Sequence, residues 1–263
     1  MAAYAFRGLG LWFLGYPDSA RRNYRKALSL AEGAKLPFTV AAAHVHAAFV
    51  ELLCGDAAET FRLAERALAL TTEHAFPFWG SLAKSLKGWA QMRLGKPALG
   101  YEEVRAGIGL LESNGAKLTK PVLLALLAEG SLRLGNLREA LANVTEGLHL
   151  TQTTLDRFYE PELWRFKGEL LLAPSKHRRK TARSANRNPQ AKEAEQCFQR
   201  GLKIARERSA RSLEMRAVMS LARLEQIERK RGEAHDLLAR VYGLFTEGHD
   251  TLDLQDARTL LGR

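Results

Sequence analysis

The chain has 263 residues, of which 46% are hydrophobic and 26% are charged, and its formal net charge is +11. This composition excludes a disordered chain and gives enough apolar material for a sizeable core in one or two domains. A basic balance of this size points to an anionic partner unless the charge has a local origin.

The opening segment, MAAYAFRGLGLWFLGYPDSA, has the pattern of a helix rather than of a leader. Its early cation, Arg7, lies where a secretory signal would have an n-region, and no cleavage site follows. No apolar run approaches the roughly 20 residues that span a bilayer. We therefore expect a cytoplasmic protein with no membrane partner. Because Met1 falls inside the first predicted helix, we also expect either a fragment of a longer protein or a truncated gene product, with an exposed apolar N-terminal face.

Helix-breaking glycines recur every 40 residues, at Gly15, Gly55, Gly95 and Gly135. This period is typical of a repeated helical hairpin, with the glycine in the turn between its two helices. No alternating strand pattern occurs anywhere in the chain.

Small residues recur at fixed places on both helices of each unit. The first helix carries Gly8, Ala48, Gly88, Ala128 and Gly168 in the same position. The second helix carries two such positions, filled by Ala20, Thr60, Gly100 and Ala140 and by Ala27, Ala67, Gly107 and Gly147. Related patterns return at 194–202 and, more loosely, at 234–242. Small residues let two backbones approach, so we predict closely crossing helices.

The turn chemistry agrees with the period. Asp56 with Glu59, and Asn136 with Glu139, have the spacing of an N-cap followed by an acid that opens a helix. Prolines at 17 and 97 suit a first helical turn. The first helices of successive hairpins are predicted to begin near Thr39, Pro77, Thr119 and Pro161.

These signals predict an all-α solenoid of six helical hairpins in a single domain spanning residues 1–263. The predicted hairpins are 1–36, 37–76, 77–118, 119–158, 159–210 and 211–247, with a basic insertion at 174–190 and a capping helix at 250–262. Stacking is what stabilises such an array, because one hairpin cannot bury its apolar face alone.

The sequence LGYPD at 14–18, with Ala20 and the pair Ala27-Leu28, resembles a tetratricopeptide (TPR) repeat lengthened from 34 to 40 residues. The segments FPFWGSLAKSLKGWA, ELWRFKGELLLA, 193–224 and 241–261 are similar to the C-terminal helical region of bacterial signalling proteins. Those proteins carry an adenylate or guanylate cyclase domain and an ATPase domain upstream. The resemblance implies a right-handed superhelix that binds partners.

The resemblance implies no catalysis in this chain, because the cyclase and ATPase parts are absent. Gly95-Lys96 lacks the other residues of a phosphate-binding loop. The scattered carboxylates lie on amphipathic helices without a paired nucleophile. We expect no enzyme activity, no cofactor and no metal site.

In TPR-like superhelices the first helices line the concave surface, and a peptide or helix docks there. Carried onto this sequence, that geometry implies a groove that changes from apolar to charged. Leu9 belongs to its apolar part. The groove residues are Trp12, Phe49, Trp89, Met92, Glu129, Arg133, Arg165, Glu169, Arg216 and Arg223. Alternatively, the aromatics are core and the charges pair within the array.

The histidines and cysteines carry no recognisable site. His44 and His46 are two residues apart on a helix, so they point about 200° away from each other and cannot share one ion. Cys54 and Cys197 are distant in sequence and lie in apolar patterns, which favours buried, reduced thiols.

The segment from Pro174 to Gln190 is predicted to be an exposed loop inside the fifth hairpin. It has six cations and no acid: Lys176, Arg178, Arg179, Lys180, Arg183 and Arg187. Without them the net charge is +5. Such a run can bind nucleic acid electrostatically, but no aromatic side chain is interleaved for base stacking, which disfavours nucleic acid as the partner.

The leading hypothesis is therefore a non-catalytic scaffold or sensor that binds a protein or peptide in its groove. Such a module would belong to a signalling ATPase or nucleotide cyclase. The alternative is a nucleic-acid-associated helical protein acting through the basic loop at 176–187.

Overall fold

A computed structural model gives the structure of residues 1–173, 189–228 and 232–262. These residues form thirteen helices and no β-strand, as the hydrophobic pattern predicts. The helices are α1 (Ala2–Phe13), α2 (Pro17–Ala34), α3 (Pro37–Cys54), α4 (Ala57–Glu73), α5 (Pro77–Arg93), α6 (Pro97–Ser113), α7 (Lys120–Arg133), α8 (Leu137–Thr153), α9 (Glu160–Leu172), α10 (Pro189–Glu207), α11 (Arg211–Glu228), α12 (Glu233–Tyr242) and α13 (Leu252–Leu260).

The helices pack as successive antiparallel pairs, α1 with α2 through α11 with α12, and each pair also packs on the next. We call the odd-numbered helices α1 to α11 the first helices of the hairpins and the even-numbered ones the second helices. α13 follows the last pair and packs on α11 and α12.

The four glycines with a 40-residue period sit in the turns as expected. Gly15, Gly55, Gly95 and Gly135 have φ between +79° and +92°, a conformation that favours glycine. The residue after each glycine donates its N–H to a carbonyl five residues back, as from Asn136 to Ser131 at 2.8 Å. This bond closes the first helix and starts the turn.

Local capping also matches the sequence. The side chain of Asp56 accepts a hydrogen bond from the Glu59 N–H at 2.9 Å, and that of Asn136 accepts one from the Glu139 N–H at 3.4 Å. Pro37 opens α3 two residues before the predicted start at Thr39. A proline suits this position because the first helical N–H has no partner within the helix.

The small residues mark the crossings of paired helices. A Cβ atom on Gly88 would lie 2.6 Å from the carbonyl oxygen of Gly100, and one on Gly168 would lie 2.9 Å from that of Ala194. Gly8 faces Ala20 in the same way, at 3.2 Å. The small residues that define the 40-residue repeat in the sequence are therefore the residues at which the paired helices touch.

One helix of the described residues, α3, is long and apolar enough to cross a membrane by length and composition, and two thirds of it are buried within the protein. It lies between α2, α4 and α5 and contains the buried Glu51. The Arg21 guanidinium binds this carboxylate at 3.0 Å, and the Tyr24 hydroxyl donates to it. These contacts are those of a core helix.

The chain closes into a ring, because its last helices return to its first hairpin. The hydroxyl of Ser212 donates to the Trp12 carbonyl at 2.6 Å, and the Ser19 N–H donates to Glu247 at 2.7 Å. The Arg21 guanidinium also reaches Asp250 at 3.0 Å. The sequence gives no sign of this closure.

Two expectations are modified by the structure. The first hairpin was expected to expose an apolar face; instead α11 covers the end of α1, while Phe6 remains 64% exposed. The predicted loop at 174–190 also runs two residues too far, because Pro189 begins α10. Its six cations lie outside the described residues.

Candidate functional site

The first helices surround the inside of the ring, and two cavities open there. A charged cavity of about 390 Å³ is formed by α3, α5, α7, α9, α11 and α13. An apolar cavity of about 510 Å³ is formed by α1, α3, α5, α7 and the segment before α9. The two cavities share no residue, and the apolar one lies toward the N-terminal ends of α3, α5 and α7.

The charged cavity has balanced charges. Five arginines and five acids line it: Arg93, Glu129, Arg133, Glu162, Arg165, Glu169, Arg216, Arg223, Asp253 and Asp256. They fall into a buried network and a set of exposed pairs.

Glu162 is the centre of the buried network. Its carboxylate accepts hydrogen bonds from Arg165 at 2.7 and 2.9 Å, and Arg216 approaches it at 3.5 Å. Arg216 also binds Asp253 of α13 at 2.8 Å and donates to the Leu53 carbonyl of α3 at 2.8 Å. The network therefore joins α9 and α11 to α13 and to the second hairpin.

Electrostatics favour the charged form of this network. Burial by itself raises the pKa of Glu162, but the guanidinium groups of Arg165 and Arg216 outweigh burial and hold that pKa below its usual range. Burial opposes the charge of Arg216, yet the Asp253 and Glu162 carboxylates raise its pKa. The helices α9, α11 and α13 are thus held together by side chains that stay charged at neutral pH.

The exposed pairs lie toward the mouth of the cavity. Glu129 binds Arg133 at 2.8 Å and Arg93 at 3.4 Å, and it accepts the Trp89 indole N–H at 2.9 Å. Arg223 binds Asp256 at 3.1 Å, and both side chains are more than a third exposed. Exposed pairs contribute only about 0–1 kcal/mol, so they can be exchanged for other partners.

Arg165 and Glu169 form an ion pair one turn apart on α9. The hydroxyl of Ser220, on α11, donates to Glu169 at 3.0 Å. Glu169 is one third exposed, whereas Arg165 is mostly buried. Glu169 therefore faces the cavity, and Arg165 belongs mainly to the buried network.

Seven aromatic rings line the apolar cavity. They are Phe6, Phe13, His46, Phe49, Phe78, Trp79 and Phe158. Aliphatic side chains, among them Leu9, Leu82 and Val122, complete the wall, and Asp156 is its one acidic residue. The rings are only partly buried, so the cavity keeps apolar surface in contact with solvent.

The prediction that Trp12 and Met92 line the groove is wrong. Trp12 is 2% exposed, because the ring closure brings Arg216 to 5.0 Å above its indole and Ser212 onto its carbonyl. Met92 is 1% exposed and packs between Gly100 and Gly130 of the neighbouring helices. Both side chains are interior packing residues.

The other eight predicted groove residues line the two cavities. Phe49 lines the apolar cavity. The charged cavity contains Trp89, Glu129, Arg133, Arg165, Glu169, Arg216 and Arg223. Whether these residues bind a partner remains a prediction.

Sequence reasoning missed several residues of both cavities. Glu162 was detectable, since it lies three residues before Arg165 on α9 and such pairs meet on a helix. Asp253 and Asp256 reach the cavity only because α13 folds back, which no local signal reports. Asp156 lies in a short connection, outside the periodic pattern on which the predictions were based.

The described residues contain no group of three or more His, Cys, Asp and Glu side chains placed to hold a metal ion. Both cysteines are free and buried, and burial raises the pKa of each thiol. His44 and His46 each bond a main-chain carbonyl four residues earlier, as ordinary helix histidines do.

No protein-family model matches the sequence, and no protein of curated function is similar to it in sequence. Solved structures are similar in shape. A Rap protein complexed with competence and sporulation factor is 13% identical, with a TM-score of 0.64 over 99% of this chain and 72% of that one. The chain has a TPR-like fold. At this identity the likeness shows the fold alone.

A second structure is a Signal Transduction ATPase with Numerous Domains (STAND) from Pyrococcus horikoshii, which has a tetratricopeptide repeat sensor. It is 13% identical, with a TM-score of 0.51 over 91% of this chain. The chain spans only 35% of that protein's length.

Proposed function

We propose that this chain is a non-catalytic sensor module that binds a peptide, or an extended segment of a protein, in the charged cavity. The single observation behind the proposal is the set of exchangeable ion pairs at the mouth of that cavity, next to the Trp89 indole. Its volume of about 390 Å³ is within the range of ligand cavities, about 300–1,000 Å³.

Within this proposal the ten charged residues have two roles. The exposed Arg133 and Arg223 exchange their present partners for charged groups of the peptide at little cost in stability. Glu129 and Glu169 present acceptors beside them. The buried Glu162 network keeps the wall rigid, so that the cavity is formed before the peptide arrives.

The test is selection of binders from a random peptide library, followed by titration of the selected peptide. Arg133→Glu and Arg223→Glu should each weaken binding at least about tenfold, because a favourable charge pair becomes a repulsive one. Arg105→Glu is the matched control, since Arg105 pairs with Glu102 on α6, outside both cavities. Its affinity should equal that of the wild type, and binding should tolerate moderate salt.

Selected peptides that bind all three variants as tightly as the wild type would place the peptide site elsewhere. A library that yields no binder to the folded protein would contradict the sensor role itself.

The proposed context is a bacterial, cytoplasmic signalling protein in which the module is joined to an ATPase or nucleotide cyclase domain. The resemblance of the C-terminal third to such proteins and the shape shared with a STAND protein's structure support it. An in-frame ATPase or cyclase domain upstream of Met1 in the gene would agree with this context. A reading frame beginning at Met1 would contradict it.

Nucleic acid is a second candidate partner, favoured by the six cations at 176–187. Replacing all six with glutamine should then abolish binding to a single strand, whose log–log salt slope reaches about −4 when each cation meets a phosphate. Binding that survives the replacement would place the basic surface elsewhere.

A further inference from the structure

The apolar cavity has the size and shape of a small-molecule site and is separate from the proposed peptide site. Its volume is about 510 Å³, and its walls come from four helices and the connection before α9. Ligand cavities of this size are lined by apolar and aromatic groups, with a few polar atoms that orient the ligand.

Several aromatic rings of this cavity contact one another in edge-to-face or tilted pairs along its wall. Ring centroids lie 5.1 Å apart for Phe6 and His46, 5.3 Å for His46 and Trp79, and 5.9 Å for Phe13 and Phe158. None of these rings belongs to the fully buried core. Aromatic faces carry negative charge density, so they attract cations as well as apolar groups.

Asp156 contributes the one charged group of the cavity wall. Its carboxylate accepts the Thr119 N–H at 2.6 Å, and no Lys, Arg or His forms an ion pair with it in the described part of the chain. Burial is the largest influence on the pKa of Asp156 and raises it. Among the described residues, Asp156 is therefore a partly buried carboxylate without a cationic partner.

His46 adds a second acceptor. Its Nδ1 lies 2.8 Å from the Ala42 carbonyl oxygen, which can only accept, so Nδ1 donates. Burial lowers the pKa of His46, which keeps the ring neutral and leaves Nε2 as an acceptor. Asp156 and His46 are thus acceptor-bearing residues of a wall that contains no Lys or Arg.

We infer that the apolar cavity binds a small molecule with an apolar body and a cationic amine, the amine pairing with Asp156 and the aromatic faces. The charge of the cavity excludes the obvious alternative, a fatty acid, because a carboxylate would be desolvated beside Asp156 without a counter-ion. A neutral alcohol would use the same walls and lack the ion pair.

Three probes with one apolar body separate these classes: decylamine, decanol and decanoate, titrated by calorimetry into the full chain at pH 7. Decylamine should bind tightest. Decanol should bind about tenfold more weakly, the ratio that one bond to a charged group supplies. Decanoate should show no binding at about 1 mM.

Two variants locate the amine. Asp156→Asn keeps an acceptor for the Thr119 N–H and should bring decylamine down to the affinity of decanol, with decanol unchanged. Gly10→Leu narrows the cavity, because Gly10 lines it and a Cβ there meets no atom within 4 Å, and should weaken binding of both probes. Gly109→Leu, which also meets open space but lies on α6, is the control and should bind like the wild type.

Several results would overturn the inference. They are equal affinity for the three probes, no binding of decylamine by the wild type, or decylamine affinity that is unchanged by Gly10→Leu. Leucine favours a helix more than glycine does, so the Gly10 variant should fold, and a circular dichroism spectrum checks this. Since the inference uses no residue of the charged cavity, failure of peptide binding leaves it standing.

Discussion

At the scale of single residues, the fold depends on glycines and other small residues at the points where paired helices cross. Gly88 and Gly100 cross with no room for a methyl group between them. The neighbouring Glu103 and Val104 side chains each lie 2.9 Å from the position of a Cβ on Gly88. Close packing of this kind transmits any added volume to the backbone.

Gly88→Ala should therefore destabilise the protein by about 1–3 kcal/mol through overpacking. Gly109→Ala is the control, because its Cβ meets open space and alanine favours the helix by up to about 1 kcal/mol. Urea unfolding followed by circular dichroism measures both. A Gly88 variant as stable as the Gly109 variant would show that the two helices do not cross at this position.

At the scale of helices, local signals explain most of what the sequence predicts. Proline at the first helical turn, side-chain caps such as Asp56, and glycines at positive φ act over a few residues, so they are readable without a structure. The small residues, such as Gly8 and Gly88, then determine which face of each first helix packs against its paired helix. The hairpins follow from these signals.

The sequence does not show which residues of the first helices stay exposed to solvent. Trp12 and Phe49 share the same apolar character and helical spacing, yet one is interior and the other lines a cavity. Their difference comes from α11 and α13, which lie about 200 residues further along the chain. Periodicity carries no information over such separations.

The Glu162 network makes a prediction at this scale, because it joins α9, α11 and α13 through buried charges. Glu162→Gln should cost about 3 kcal/mol at pH 7, since it leaves buried guanidinium groups short of a partner. Glu102→Gln, which removes an exposed surface pair, should change stability by less than about 0.5 kcal/mol.

The same network gives a direction for the pH dependence. The folded pKa of Glu162 lies below its unfolded value of about 4.3. Its ionised form therefore stabilises the fold above that pH, and the stabilisation is lost as the pH falls through the folded pKa. Unfolding midpoints measured from pH 7 to pH 3 should fall less steeply for Glu162→Gln than for the wild type. Parallel curves would remove Glu162 from the acid transition.

At the scale of the whole molecule, the closure of the ring creates both the charged cavity and the buried state of Trp12. α13 supplies Asp253 to the network, and its first residue, Leu252, lies against the turn at Gly55. The cavity wall therefore brings the second hairpin and α13 together. Opening the ring should remove the cavity even where every hairpin stays folded.

Two glycines in equivalent turns separate closure from local strain. Gly55 has φ +85° and Gly95 has φ +87°, so alanine at either should cost about 1 kcal/mol in backbone strain. A Cβ on Gly55 would also lie 2.7 Å from Leu252, whereas one on Gly95 meets nothing within 4 Å. Gly55→Ala should therefore lose about 1–3 kcal/mol more stability than Gly95→Ala and displace α13.

Small-angle X-ray scattering should then show a larger radius of gyration for the Gly55 variant and an unchanged one for Gly95→Ala. Equal stability and equal size of the two variants would mean that the contact between α13 and the second hairpin does not hold the ring closed in solution.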